Sequence, residues 1–465
     1  VLNKILIANR GEIACRVIRT CKRLGIATVA VHSDADAEAP HVKLADEAVR
    51  IGPPPVKDSY LDIEAVVGAA IATGAQGIHP GYGLLSENAK FAARVAEAGI
   101  TFIGPPISVL DAFGDKIKAR HVARAAGVQP PPGTDGPITV DDAAAIAAEA
   151  ERIGYPLIVK AAGGGGGIGM QIVEDPAKLA RAVTACSDRG KSAFADARVY
   201  MERYVKAPRH IEVQVLCDAH GGAVALGERE CSVQRRHQKI VEETPSPASF
   251  FAGEAGEKKR ADLLAAALKV VTSVGYVGAG TVEFVASGED GDIFFLEVNA
   301  RLQVEHCVTE MCTGIDLVEQ QIRVASGERL APEILNPTRR GHSIEVRVYA
   351  EDPAKKFIPQ PGKLEKITWP EAGSDLRVET GVAEGLSVTP FYDPLIAKIV
   401  AHGSDRAAAI ARMDQALAGT VIDLVAPTGA KAATNVAFLR KVLAAPAFVE
   451  GRYDTSFAEA LAKGG

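Results

Sequence analysis

Two periods of hydrophobic and polar positions alternate along the first part of the chain. KILIAN (Lys4–Asn9) is a buried-strand pattern. EIACRVIRTCKRLG (Glu12–Gly25) places apolar residues at helical spacing and stops at a glycine, and ATVAVHSDAD (Ala27–Asp36) reads as a second strand. YLDIEAVVGAAIATG (60–74) predicts a helix, GIHPGYG (77–83) a strand and turn, NAKFAARVAEAG (88–99) a helix, and TFIGP (101–105) a strand. This rhythm predicts βαβ units in a doubly wound parallel sheet.

The pattern then changes. Asp115–Gly127 reads as a helix, and QPPPGTDGP (129–137) marks a linker. A small unit follows over 138–204, with two helical stretches around the glycine-rich segment KAAGGGGGIGM (160–170). From Ile211 strand-type alternation dominates, with helices expected at Lys258–Val274 and Gly314–Ser326, and a last α/β stretch runs to the C-terminus.

Five consecutive glycines cost backbone entropy that only a specific use offsets. Gly164, Gly166 and Gly169 match G-x-G-x-x-G, but a strand-like segment, MQIVED, follows where that fingerprint needs a helix. A P-loop fails as well, because no Lys-Ser/Thr pair follows. What remains is a hairpin loop between two strands. Its backbone N–H groups can cover phosphates, with Lys160 reaching the same oxygens from the entry strand. A mobile surface hairpin without ligand is the alternative reading of the glycines taken alone.

A second pattern bears on that choice. In FFLEVNARLQVEH (294–306), positions 297, 299, 301, 303 and 305 are Glu, Asn, Arg, Gln and Glu, and the positions between them are apolar. As one strand, it would carry all five polar groups on one face over about 26 Å, at ~3.3 Å per residue. An ordinary solvated face is the plainer reading, although such faces favour Lys, Thr and Ser. Glu283, in what reads as the neighbouring strand, would join Glu297 and Asn299 as hard oxygen ligands for magnesium or manganese on nucleotide phosphates.

Composition adds bounds. The 465 residues allow about three domains at roughly 150 residues each. A net charge of −6 argues against a general nucleic-acid binder. Seven cysteines without a C-x-x-C pair predict a reducing, cytoplasmic setting with neither zinc site nor disulfide framework. No apolar run approaches the roughly eighteen residues of a membrane span. The apolar stretch Ile5–Ala8 is cut short by Asn9, Arg10 and Glu12, which argues against a signal peptide.

Taken in order, ILIANRGEIACRVIRTC, IHPGYGLLSENA, FIGP, KAAGGGGGIGM, ECSVQRRHQKIVEE, EVNARLQVEH and EVRVYAEDP resemble the signature segments of the biotin carboxylases, within the ATP-grasp superfamily. The resemblance spans nearly the whole chain and implies a mixed α/β and α+β fold. It implies a Rossmann-like N-terminal domain (1–114), a helix and linker (115–137), an ATP-grasp lid (138–204) and a C-terminal ATP-grasp/biotin carboxylase domain (205–465). ATP would lie against Lys116, Lys160, Gly165, Gly166, the hinge from Glu202 to Val205, His210, Gln234 and His237. Mg2+ or Mn2+ would sit on Glu283 and Glu297, supported by Asn299.

The implied chemistry is ATP-dependent carboxylation of biotin through carboxyphosphate. Arg301 would clamp bicarbonate with Lys239, Gln303 and the Val304 backbone, and Glu305 would be the general base. Arg347 would steady the enolate-like oxygen of biotin, and Tyr82 would flank its ring. No Met-Lys-Met segment is present for biotin attachment. Biotin would therefore come on a carrier protein or a carrier domain outside this sequence. The implied partners are that carrier, a carboxyltransferase subunit and a second copy of the chain, with neither nucleic acid nor membrane. The final carboxyl acceptor stays open among acyl-CoAs and pyruvate.

His306 reads as structural. Ile168 departs from a position that is usually basic in the family, Cys307 stands where proline is usual, and the stretch 421–439 is longer. A carbamoyl-phosphate-synthetase-like ligase is one alternative. A weakened scaffold subunit, favoured only by Ile168, is the other.

Overall fold

Strand order decides where ligands can approach. The computed structural model of the chain describes residues 2–163 and 169–464, so Gly165, Gly166 and Ile168 lie outside the described residues. Strands β1 (Lys4–Ile7), β2 (Ala27–Ser33), β3 (Glu47–Gly52), β4 (Gly77–His79) and β5 (Thr101–Phe102) form a parallel sheet ordered β3-β2-β1-β4-β5. The strand order reverses beside β1, which opens a crevice at the carboxyl ends of β1 and β4. There the Asn9 amide donates to the carbonyl oxygens of Pro80 and Tyr82 at 2.8 and 2.7 Å, joining the two turns. Gly81 makes this approach possible: its φ is +63°, and a Cβ there would lie 2.9 Å from Asn9 Nδ2.

A small antiparallel sheet, β7-β6-β8, is built from β6 (Leu157–Ala161), β7 (Met170–Val173) and β8 (Val199–Arg203). Lys160 pairs with Met170 across β6 and β7, so the glycine-rich segment does connect the two strands of a hairpin. Helices Ala143–Ile153 and Leu179–Phe194 cover the apolar face of this sheet. The proline-rich stretch expected as a linker is instead held to β8. Gly133 and Ile138 bridge Glu202 and Val199, and the Thr134 N–H donates to Met201 O at 2.9 Å. An open strand edge leaves backbone groups without partners, and this segment satisfies them.

The third sheet is antiparallel throughout. It contains β9 (Pro208–Cys217), β10 (Ala223–Arg235), β11 (Gln238–Thr244), β12 (Gly278–Ser287), β13 (Ile293–Asn299) and β14 (His342–Tyr349). The order is β13-β12-β9-β10-β11-β14, continued by strands Leu395–Gly403 and Leu376–Thr380. One polar face of this sheet forms the floor of the cleft described below.

Three expectations need correction here. The strand predicted to run through Glu305 ends at Asn299, and Glu305 is the N-cap of a helix, His306–Thr313. The Ala300 N–H donates to Glu87 Oε1 at 2.9 Å, which draws the chain off the sheet edge. The helix expected over 314–326 spans only Leu317–Ala325, behind Gly314 at φ +72° and the N-cap Asp316, whose side chain accepts from the Glu319 N–H. The helix expected from Lys258 begins earlier, at Gly253. All seven cysteines are buried and unpaired. No helix among the described residues is long and apolar enough to cross a membrane.

Candidate active site

Three cavities join end to end between the sheets. An apolar one of about 440 Å³ lies beside β8 and its exit, lined by Ile158, Ile172, Tyr204, Val205 and Leu296. It shares Lys160, Met170, His237 and Leu296 with a polar cavity of about 450 Å³ over the third sheet. That cavity shares Gln238, Arg301, Val304, Arg347, Tyr349 and Asp393 with a third, of about 610 Å³, which opens at the crevice of the parallel sheet beside Tyr82.

The polar cavity is organised by strand register. Glu283 and Glu297 face each other across β12 and β13, so both carboxylates leave the same face. His210, Glu212 and Gln214 alternate along β9, and Glu283 pairs with Glu212 on the next strand. Lys239 fills the centre: its Nζ lies 2.6 Å from Glu212 Oε2, 2.6 Å from Glu305 Oε1 and 3.1 Å from Glu283 Oε1. Gln303 donates to Glu283 Oε1 at 2.9 Å. Arg347 Nη2 stands 3.0 Å from Glu305 Oε2 and 2.5 Å from Glu242 Oε1.

Each charge has an opposite neighbour, and that decides its protonation. Burial pushes the Glu305 carboxyl up, but Lys239, then Arg347 and Arg229, outweigh it and hold Glu305 well below the usual range. Burial likewise opposes ionisation of Glu283, and Lys239 with His210 reverses that. Lys239 is driven down by burial but held well above its ordinary value by Glu212, Glu283 and Glu305.

The phosphate-type cations are also paired. Lys116 Nζ is 2.6 Å from Glu297 Oε2, and Lys160 pairs with Glu202, which also accepts from Arg120 at 2.6 Å. Gln234 Nε2 sits 3.1 Å from His210 Nδ1, and His210 Nε2 3.2 Å from Glu283. His237 reaches the cleft from the turn between β10 and β11, where Arg236 and His237 both have positive φ, +46° and +64°. Two non-glycine residues there are strained, a cost of about 1–3 kcal/mol each that the surrounding structure sustains.

Arg301 donates to Glu87 Oε2 at 2.9 Å, to Asn299 Oδ1 at 3.1 Å and to the Leu302 carbonyl. Lys398, wholly buried, donates to the Val304 carbonyl at 2.6 Å and lies 3.2 Å from Glu12. Tyr82 donates in turn to Glu12. The geometry can thus hold a planar anion among Lys239, Gln303 and Arg301, beside a tethered carboxylate. Glu283 and Glu297 form a facing pair of hard oxygen donors. That facing carboxylate pair suits Mg2+ or Mn2+, and the third oxygen beside it, Asn299 Oδ1, accepts from Arg301 at 3.1 Å.

Comparison with known proteins decides the family. Residues 1–110 match the model "Biotin carboxylase, N-terminal domain", residues 345–460 match "Biotin carboxylase C-terminal domain", and residues 115–333 match "Carbamoyl-phosphate synthase L chain, ATP binding domain". The biotin carboxylase of Pseudomonas aeruginosa is 46% identical over 99% of this chain and 98% of its own length. The chain belongs to the biotin carboxylase family.

Its fold is accordingly a Rossmann-like parallel sheet followed by an ATP-grasp domain and a biotin carboxylase C-terminal domain. The crystal structure of a biotin carboxylase–β,γ-ATP complex from Campylobacter jejuni superposes with a TM-score of 0.92 at 43% identity, covering 99% of each chain. A biotin carboxylase domain dimer of 2-oxoglutarate carboxylase from Hydrogenobacter thermophilus, solved with MgADP, ADP and bicarbonate, gives 0.91 at 41% identity, covering 99% of this chain and 97% of that one.

In this chain, all the described residues expected to form the site except Glu202, Val205 and Tyr82 line the polar cavity. Glu202 and Val205 line the apolar one, and Tyr82 the third. Glu212, Arg229, Glu87 and Lys398 were not singled out. Glu212 carries a signal in the alternation HIEVQV, where its face is shared with His210 and Gln214. Glu87 carries none: it meets Arg301 across 214 positions of sequence.

Proposed function

We propose that this chain carboxylates biotin at the expense of ATP and bicarbonate, with the biotin presented by a separate carrier. The observation that carries the reading is the three-part cleft. Its apolar end suits a purine, its centre holds cations and acids for phosphate and bicarbonate, and its far end offers Tyr82 and Arg347 to a ring.

Arg301, Lys239, Gln303 and the Val304 backbone bind bicarbonate, and Glu305 takes its proton as an oxygen attacks the γ-phosphorus and ADP leaves. Lys116 and Lys160 neutralise phosphate oxygens once the nucleotide displaces Glu297 and Glu202 from them. Magnesium or manganese, held by Glu283 and Glu297 with Asn299 beside them, supplies further charge neutralisation when bound. The mixed anhydride breaks to CO2 and phosphate. That phosphate accepts the ureido N1 proton of biotin, N1 bonds to CO2, and the Arg347 guanidinium faces the enolate-like oxygen meanwhile.

The unit 138–204 is the lid in this reading, with Glu202–Val205 as its hinge. The second copy of the chain is proposed from the dimer of the Hydrogenobacter domain. Steady-state ATP hydrolysis with and without bicarbonate, and with free biotin, tests the reading. Hydrolysis that needs bicarbonate and rises with biotin is expected. Turnover indifferent to bicarbonate, or ammonia-dependent turnover without biotin, would overturn it in favour of a scaffold or a carbamoyl-phosphate-type ligase.

A further inference from the structure

Behind Arg347 two glutamates face each other. Glu242 on β11 and Glu345 on β14 are register partners in an antiparallel pair, so their side chains leave the same face directly opposite one another. Both are wholly buried, and none of their four carboxylate oxygens has a hydrogen-bond partner. The nearest cation is Arg347 Nη2, 2.5 Å from Glu242 Oε1, close enough for an ion pair but not aligned as a hydrogen bond. That same nitrogen donates to Glu305 at 3.0 Å.

The other charged and titratable groups around the pair are Cys231 on β10, Cys307, Lys398, Lys239 and Glu305. Helix His306–Thr313 seals this face and brings Cys307. Lys398, on the strand beyond β14, is the register partner of Arg347 but is bonded to Val304 O and paired with Glu12. Lys239 and Glu305 face Glu242 from the cleft, and Lys239 is shared among three other carboxylates. Arg347 is therefore shared between Glu242 and Glu305, and Glu345 is left chiefly to Lys398, itself engaged elsewhere. Facing residues on adjacent strands have Cβ atoms about 4.5–5.5 Å apart, and of two carboxyls at that spacing in a dry interior one loses its proton only at a much raised pH. Burial, opposed by Arg347, pushes Glu242 up to about 7, and burial opposed by Lys398 pushes Glu345 well above the usual carboxylate range.

We propose that Glu242 and Glu345 are a positioning pair for Arg347: they share one proton, and its presence decides whether the guanidinium is held by Glu242 or released toward Glu305 and the cleft. With the proton present, the pair carries one negative charge, and Arg347 divides between two carboxylates of equal standing. Without it, a doubly negative pair draws Arg347 back from the side where the proposed reaction places the biotin oxygen. This assignment rests on the carboxylation reading for its effect on rate, but the shared proton itself does not.

The test uses the full chain and two readouts. Infrared difference spectra across a pH titration should show the C=O band of a protonated carboxyl at neutral pH, lost in Glu345→Gln. In biotin carboxylation, Glu345→Gln keeps a single negative charge on the pair at every working pH. Its rate near neutrality should stay within about threefold of the parent, with the alkaline limb of the pH profile moved up by about one unit or more. KM for ATP should not move. A parent with no protonated carboxyl band at neutral pH, or alkaline limbs that coincide, overturns the proposal. If the variant does not fold, the parent titration still decides. A chain that shows the band yet carboxylates no biotin sinks the functional reading and leaves the shared proton standing.

Discussion

Lys239 Nζ lies 2.6 Å from Glu305 Oε1, so the carboxylate proposed to deprotonate bicarbonate is tied to a cation proposed to bind it. The pair keeps Glu305 ionised and aimed, and an arriving anion must loosen it before proton transfer. Glu305→Gln should preserve nucleotide binding and lower bicarbonate-dependent turnover by about 10²-fold or more, the range of general-base loss. Calorimetric nucleotide affinity beside steady-state rates checks this. Parental turnover in the variant would remove Glu305 from the role.

Arg347 separates the two halves of the reaction. It pairs with Glu305 and Glu242 and, among the described residues, with none of those proposed to hold phosphate or metal. Arg347→Ala should therefore reduce biotin carboxylation by about 10²-fold or more, as loss of a single oxyanion donor does, and spare bicarbonate-dependent ATP cleavage to a greater degree. Following phosphate release and carboxybiotin formation in parallel measures both. Equal loss would contradict the division.

His79 gives a pH signature to folding. It is wholly buried at the end of β4, its Nδ1 accepts the Gly81 N–H at 3.0 Å, and its Nε2 faces Gln321. Burial lowers its pKa to about 4, from 6.5. The unfolded chain thus binds the extra proton first, and the stability contributed by the neutral ring is present above 6.5 and lost as pH falls to about 4. His79→Gln lacks this term. Denaturant midpoints of parent and variant should converge, or cross, as pH drops through that window. A gap constant with pH would contradict the neutral buried ring.

Much of this was legible in the residues, for stated reasons. The parallel sheet followed from strands of one period separated by helices of another, and the β6–β7 hairpin from glycines between two apolar runs. The five polar positions from Glu297 to Glu305 were correctly grouped, although only Glu297 and Asn299 belong to a strand. The loop that carries Arg301, Gln303 and Glu305 still turns those side chains into the cleft, so alternation survived where pairing did not. Glu87 and Lys398 could not be found this way, because each acts through a partner some hundred or more positions off, or through a backbone carbonyl. Glu242 was hidden in VEE, where one acid meets Arg347 and the next, Glu243, pairs with Arg406 and His342.

The hairpin under the glycine-rich segment supplies a fourth prediction. Gly169 has φ +77°, its carbonyl accepts the Ala161 N–H at 2.9 Å, and a Cβ there would come within 2.9 Å of Ala161 Cβ. Gly169→Val should strain this closure by about 1–3 kcal/mol. Its effect should appear in KM for ATP before it appears in the thermal midpoint of the whole chain. An unchanged KM would show that the hairpin closes without this contact.

The third sheet crosses a boundary between family models. Family models part near residue 340, between the stretch shared with carbamoyl-phosphate synthase and the one particular to biotin carboxylases. The hydrogen bonds do not part there: β14 lies against β11, with Val241 opposite Val346 and Thr244 opposite Ser343. The two matched stretches thus share one sheet, and the boundary between them lies in its interior. Cutting the chain at the family boundary would bare β11, whose unpaired backbone groups are a template for aggregation. Family boundary and folding unit, in this molecule, divide at different places.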